Sequence, residues 1–265
     1  MNIQKSAKIL DTYLDLERKP VGVKIFFDKD EYENYDLKER ENKVTYCNAV
    51  QLASMGKKIK IRKDHQACPN GSTALNFNDE PEALKSGKGR LKKGIYDNID
   101  VSKSVSDEMV FLKNRPYGLV IMPLENFEDN PDVVIVVGGS FPIMRIIQAN
   151  AYKHGYTNNL KTVGLQAVCH DLTTYPYESG DINISFLCPG TRLVADWKYN
   201  EMGIGIPFDK FEDIVEGLQK TTNPFERDKN KKEIIKKSKE NNLDSSEIKL
   251  GENYDDGSYS GGRVK

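Results

Sequence analysis

The stretch Asp181-Ile182-Asn183-Ile184-Ser185-Phe186-Leu187-Cys188-Pro189-Gly190-Thr191-Arg192 alternates polar and apolar residues, then breaks at Cys-Pro-Gly. The alternation has the period of a strand, here one that ends on the cysteine. Pro189 stands where a helix can begin, because the first helical position has no use for its N–H. Ile59-Lys60-Ile61-Arg62-Lys63-Asp64-His65-Gln66-Ala67-Cys68-Pro69-Asn70-Gly71 has the same plan. A further cysteine precedes each stretch, Cys169 and Cys47 respectively, and these four are all the cysteines of the chain. The pattern predicts one unit used twice: helix, strand, Cys-Pro, helix. The expected fold is α/β or α+β, a single domain built from two related halves.

The flanking sequence supplies the other elements. Ile9, Leu10, Tyr13 and Leu14 mark a helix within Ser6–Leu16, and Val21–Phe27 reads as a strand after Pro20. The charged run 28–42 reads as loop with at most one helical turn. Val44–Met55 reads as a helix closed by Gly56, with Cys47 facing inward. Lys58–Lys63 reads as a half-exposed strand. Val133–Val137 is apolar at every position, so it should be central and covered on both faces. A helix from Pro142 to about Tyr152, a helical stretch over Val163–Leu172, a turn or short strand at Met202–Pro207 and an amphipathic helix over Phe208–Leu218 complete the domain. Arg115-Pro116-Tyr117-Gly118 repeats the plan of Lys19-Pro20-Val21-Gly22, which places the pseudo-repeat at about 6–93 and 115–222. The family-sized domain is expected over 1–224. Residues 225–265, rich in Lys, Asn, Asp, Ser and Gly, read as a polar, disordered tail.

The cysteine spacings are not those of zinc ribbons or simple ferredoxins, since twenty residues lie between Cys47 and Cys68 and eighteen between Cys169 and Cys188. Their placement says more. A Cys before a helix-starting Pro faces backbone N–H groups without intrahelical partners, an environment that favours the thiolate. If the two units pack about a pseudo-two-fold axis, Cys47, Cys68, Cys169 and Cys188 can converge as ligands of an iron–sulfur cluster or a zinc ion. The plainer alternative makes each thiol a small buried apolar group and leaves the chain with no metal. Gly138-Gly139-Ser140, between the best strand and the helix from Pro142, is a candidate anion site, although the full dinucleotide and phosphate-loop motifs are missing. His65 and His170 stand near cysteines and can join a metal shell or supply a proton, His154 sits by a helix end, and Trp197 is expected in the core.

Composition limits the function classes. Of 265 residues 39 are basic and 40 acidic, a formal net charge of -1 that gives no general attraction to nucleic acid or an anionic membrane. No apolar run approaches the roughly 20 residues of a membrane span, and the first residues lack a secretory apolar core. A cytoplasmic protein is expected, where thiols stay reduced and serve metal or redox chemistry more than disulfides. Its partners would be a small molecule or a redox partner protein. The alternatives are a non-enzymatic anion-binding module and a structural zinc protein.

Pro20-Val-Gly-Val-Lys, the Cys47 helix, Cys68-Pro-Asn-Gly, Pro131-Asp-Val-Val, the Arg145 helix, and Cys188-Pro-Gly-Thr-Arg followed by Gly205-Ile206-Pro207 together resemble the domain-of-unknown-function family 169. The resemblance covers roughly Ser6 to Lys220. It implies a family spread through bacteria and archaea, many of them anaerobes, and it carries no reaction or established catalytic residue onto this chain.

Overall fold

The computed structural model describes residues 2–221 together with 240 and 241. The described residues up to Gln219 form one compact unit. The tail expected at 225–265 lies outside the described residues except for 240 and 241.

Helix α1 (Ile3–Leu14) opens on Asn2, whose side chain accepts from the Lys5 N–H, and buries Ile3, Ala7, Leu10 and Leu14 along one face. Strand β1 (Val21–Phe26) and helices α2 (Lys29–Asn34) and α3 (Tyr46–Ser54) follow, the last capped by Thr45. Then come β2 (Ile59–Arg62), α4 (Pro69–Ala74), the short α5 (Glu82–Lys85) and α6 (Lys88–Leu91), and α7 (Ile99–Glu108). Strands β3 (Gly118–Pro123) and β4 (Val133–Gly138) lead to α8 (Ser140–His154). A π-helix over Ala167–Thr174 runs into α9 (Tyr175–Ser179), followed by β5 (Asn183–Ser185), α10 (Pro189–Ala195), β6 (Met202–Pro207) and α11 (Phe208–Lys220). Among the described residues no helix is long and apolar enough to cross a membrane.

The six strands form one sheet in the order β2-β3-β1-β4-β6-β5, with every neighbouring pair antiparallel. The class is therefore α+β. A strand as apolar as Val133–Val137 needs cover on both faces, and helices supply it. Val133, Ile135 and Val137, with Val21, Val23, Ile25, Leu119 and Ile121, pack on one side against α3, α4, the π-helix, Cys188 and Trp197. Val134 and Val136, with Phe26, Val120, Met122, Ile204 and Ile206, pack on the other against α1, α8 and α11. The period of two along each strand thus sorts its side chains into two separate cores.

Several local readings are corrected. Strand β2 is buried, not half-exposed. Lys60 is only 4% exposed, its ammonium lying over the Tyr32 ring and donating to the Tyr35 carbonyl at 2.8 Å. The strand before Cys188 stops at Ser185, because Leu187 turns the chain with a positive φ of 62°. Met202–Pro207 is a full six-residue strand. Helix α7 has no counterpart in the apolar pattern: Ile99 and Val101 point to solvent, and the start is fixed by Asn98 accepting from Asp100 and Val101. The two Pro-x-Gly sequences lie at opposite ends of adjacent antiparallel strands, Gly22 opposite Met122 and Gly118 opposite Phe26. Each glycine leaves room for an aromatic ring, Phe127 over Gly22 and Tyr32 over Gly118.

Strand β6 meets the π-helix through Gly205, where an added Cβ would press on the Leu172 carbonyl. Replacing a strand glycine by alanine ordinarily gains about 0.5–1 kcal/mol. Here overpacking should reverse the sign, so Gly205→Ala is expected to lower stability by about 1–3 kcal/mol. Urea unfolding monitored by circular dichroism measures it, and a neutral or stabilised variant would contradict this packing.

Candidate functional site

Four elements on the same face of the sheet carry the four cysteines. Cys47 lies in the first turn of α3, and Cys169 lies in the π-helix. Cys68 and Cys188 are the N-caps of α4 and α10, each before a proline at the first helical position. Their sulfurs accept backbone hydrogen bonds, Cys68 Sγ from the Gly71 N–H at 3.5 Å and Cys188 Sγ from the Thr191 N–H at 3.4 Å. Neither cysteine ends a strand. In each case a turn separates strand from cap, the 3₁₀ turn Lys63–His65 in one and the Leu187 turn in the other.

The surrounding elements interlock by hydrogen bonds. Tyr46, beside Cys47, shares a 2.8 Å hydrogen bond with Thr173 of the π-helix. Asn48 donates to the Val194 carbonyl of α10 at 3.1 Å. Gln166, held at a φ of 53° just before the π-helix, donates to the Asn70 carbonyl of α4 at 3.1 Å. The Cys169 thiol donates to the Gln166 carbonyl at 3.7 Å. Trp197 is buried, as expected, with Nε1 donating to Thr191 Oγ1 at 3.0 Å.

These contacts bring the thiols within electrostatic reach of one another. Burial pushes the Cys47 thiol up to about 12; a hydrogen bond with Thr191 offsets part of this, and the nearby Cys188 and Cys68 thiols add to it. Cys169 is raised well above the ordinary thiol range, first by burial and then by Cys47, Cys68, Cys188 and Asp171. The sulfurs of Cys47 and Cys169 are thus held in the neutral form, whereas those of Cys68 and Cys188 face N–H donors. Among the described residues, no group of three or more His, Cys, Asp or Glu side chains is arranged to hold a metal ion in this conformation. Four thiolates side by side would repel one another, so their protons could be given up here only to a cation that takes the sulfurs as ligands, a role for which sulfur suits a soft metal.

The histidines turn elsewhere. His65 accepts from the Arg62 N–H through Nδ1 and points Nε2 to Glu39 at 3.3 Å. His154 at the end of α8 meets Asp213 at 3.0 Å. His170 accepts from the Val110 N–H at 3.0 Å through Nε2, so Nδ1 carries the proton that it shares with Asp171 Oδ1 at 2.8 Å. Asp171, fully enclosed, also accepts from Ser185 at 2.8 Å and Thr162 at 3.3 Å. Burial raises its pKa, and the His170, Ser185 and Thr162 hydrogen bonds oppose the rise. Asp171 escaped the sequence reading; its signal was the pair His-Asp inside an otherwise apolar stretch. Gly138-Gly139-Ser140 forms the start of α8, with Gly139 as an N-cap that offers no side-chain hydrogen bond and Ser140 exposed.

An antiparallel α+β domain with a thiol neighbourhood on one face of its sheet is the class that the fold and site define. The chain belongs to the family described as DUF169, Uncharacterised ArCR, whose model matches residues 9–217. It is 28% identical over 220 residues to "Uncharacterized protein MJ0308" of Methanocaldococcus jannaschii, covering 82% of this chain and 94% of that protein. No solved structure matches it.

The raised Cys47 pKa has two measurable effects. Metal-free folded protein at pH 8 should be alkylated by iodoacetamide slowly at Cys47 and Cys169, and rapidly at both once unfolded; mass spectrometry of the labelled peptides reads this directly. An unfolded thiol ionises near its ordinary value of 9.0, but folded Cys47 ionises only at about 12. Its contribution to stability is therefore complete below pH 9 and lost as pH rises toward 12. Cys47→Ala should flatten that part of the stability profile.

Proposed function

We infer that Cys47, Cys68, Cys169 and Cys188 are one functional centre, which takes an iron–sulfur cluster or a single soft metal such as zinc in a cytoplasmic protein. Its work would be electron transfer to a partner protein or a redox step on a small molecule. One observation carries the reading: α3 and the π-helix, far apart in the chain, pack on each other, α10 packs on α3 and α4 on the π-helix, so the elements that bear the four cysteines adjoin. Four unrelated packed cysteines would have no reason to share one neighbourhood. Bound metal would supply the redox or structural chemistry. The chain would supply two enclosed sulfurs, two sulfurs already facing N–H donors, and the apolar surroundings that exclude water.

The strand order supports a two-half origin for this centre. Read from the β1–β4 pair, it runs β1-β3-β2 to one side and β4-β6-β5 to the other. An axis between β1 and β4 would exchange α3 with the π-helix and α4 with α10, and hence Cys47 with Cys169 and Cys68 with Cys188. We place the divide between β3 and β4 on this ground, so that β3 joins the first half.

Anaerobic purification with metal and sulfide analysis and a visible spectrum tests the reading. Iron with acid-labile sulfide and a coloured spectrum is the expected result; stoichiometric zinc without colour would retain the centre in a structural role. Cys68→Ser or Cys188→Ser should lose most of the metal and, with it, the stability that binding to the native state confers. Wild-type protein that stays free of metal and sulfide after anaerobic reconstitution would overturn the proposal.

A further inference from the structure

On the side of the π-helix that carries His170 and Asp171 lies an open cleft of about 340 Å³, at the small end of the roughly 300–1,000 Å³ typical of ligand sites. Its walls come from α7 and from the loop before the π-helix. Val105, Met109, Leu160 and Val163 make them apolar, and Glu108, Lys161, His170 and Asp171 supply the charge and polarity.

The loop has no regular secondary structure, yet it is fastened in place. Asn183 of β5 grips Lys161 from both sides of its backbone, accepting from the N–H at 2.7 Å and donating to the carbonyl at 2.8 Å. The Tyr175 hydroxyl donates to the Asn159 carbonyl at 2.7 Å. The floor is equally fixed, since both nitrogens of His170 and both oxygens of Asp171 are engaged within the protein. The cleft is thus preformed, and its inner polar groups have little left to offer a ligand.

The groups with capacity to spare are at the rim. Lys161 Nζ meets Glu108 Oε2 at 2.5 Å, and the two side chains remain 48% and 70% exposed. An exposed pair of this kind contributes little on its own, so exchanging its partners costs little. Glu108 is also the last residue of α7, where the helix presents unpaired carbonyls and favours a cation. A positive group is therefore accommodated at Glu108 and a negative one at Lys161, above an apolar wall.

We propose that this cleft binds a small zwitterion with an apolar side chain, of the kind represented by a free aliphatic α-amino acid. The ammonium group replaces Lys161 at Glu108 and the end of α7, the carboxylate takes Lys161, and the side chain rests on Val105, Met109, Leu160 and Val163. Neither partner of the rim pair is left without an opposite charge, which a simple carboxylate or a simple amine would not achieve. The proposal does not depend on the thiol centre.

Isothermal titration of the full chain with L-leucine tests the proposal, with 4-methylpentanoate and 3-methylbutylamine as analogues that each lack one charge. Leucine is expected to bind with a dissociation constant of about 1 mM or tighter, and each analogue about tenfold more weakly. Lys161→Met and Glu108→Gln should each weaken leucine binding about tenfold, and Val105→Trp should abolish it by filling the wall. All three positions are at the surface or partly exposed, and circular dichroism verifies that the variants fold. Cys68→Ser should leave leucine binding unchanged whatever it does to metal content. Failure to bind leucine, valine or methionine, or equal binding of the singly charged analogues, would overturn the proposal.

Discussion

Every residue of the π-helix Ala167–Thr174 is enclosed, and four of the eight, His170, Asp171, Thr173 and Thr174, carry polar side chains that must find partners without water. They find them in three directions. Asp171 engages Ser185 of β5, Thr173 meets Tyr46 of α3, Thr174 donates to the Val110 carbonyl, and His170 takes the Val110 N–H. Leaving one such group unpaired costs about 1–3 kcal/mol, so neighbouring elements are obliged to converge on this segment. That obligation explains how the chain sustains an uncommon helix and a left-handed Gln166 at its start. It also places His170 and Asp171 along the cleft beside α7, while the Cys169 thiol donates to the Gln166 carbonyl.

The placement of the cysteines rather than their spacing was the informative signal in the sequence. Cys-Pro predicts a helix start, and both Cys68 and Cys188 are caps with backbone donors at their sulfurs. The five apolar residues Val133–Val137 predicted burial on both faces, which the two cores provide. Strand direction was not legible, because a doubly covered antiparallel strand and a parallel one present the same apolar run. Lys60 misled by its charge, since a lysine stem and ammonium can be satisfied by a ring and a carbonyl inside the fold. Helix α7 was invisible for the opposite reason: two of its three apolar residues, Ile99 and Val101, face solvent, and polar Ser102 and Ser106 are the buried ones. The cleft was equally hidden, as its charged rim joins residues 53 positions apart in an irregular loop and a helix end.

Opposed electrostatic demands meet among the thiols. Low dielectric and like neighbours keep Cys47 and Cys169 protonated. The starts of α4 and α10 offer N–H groups to the other two sulfurs. A cation arriving there would exchange protons for metal charge without asking the fold to tolerate bare thiolates, and the surrounding apolar core would then strengthen the bond it had previously opposed. The sheet contributes by geometry alone: since the strand order runs alike on both sides of the β1–β4 pair, elements distant in the chain are delivered to one face.

The position of β1 has a consequence for how the chain is made. Its two neighbours are β3 and β4, and Val21 pairs with Pro123 and Ile135. Translation therefore releases an apolar strand whose nearest pairing partner, β3, lies about 90 residues further along the chain and is not yet made. Until β3 clears the exit tunnel, neither edge of β1 can be closed by the strands that flank it in the finished sheet. Such delayed, non-local pairing slows folding and leaves unpaired strand exposed in the interim. An apolar β1 held unpaired in this way is open to wrong partners until β3 and β4 arrive.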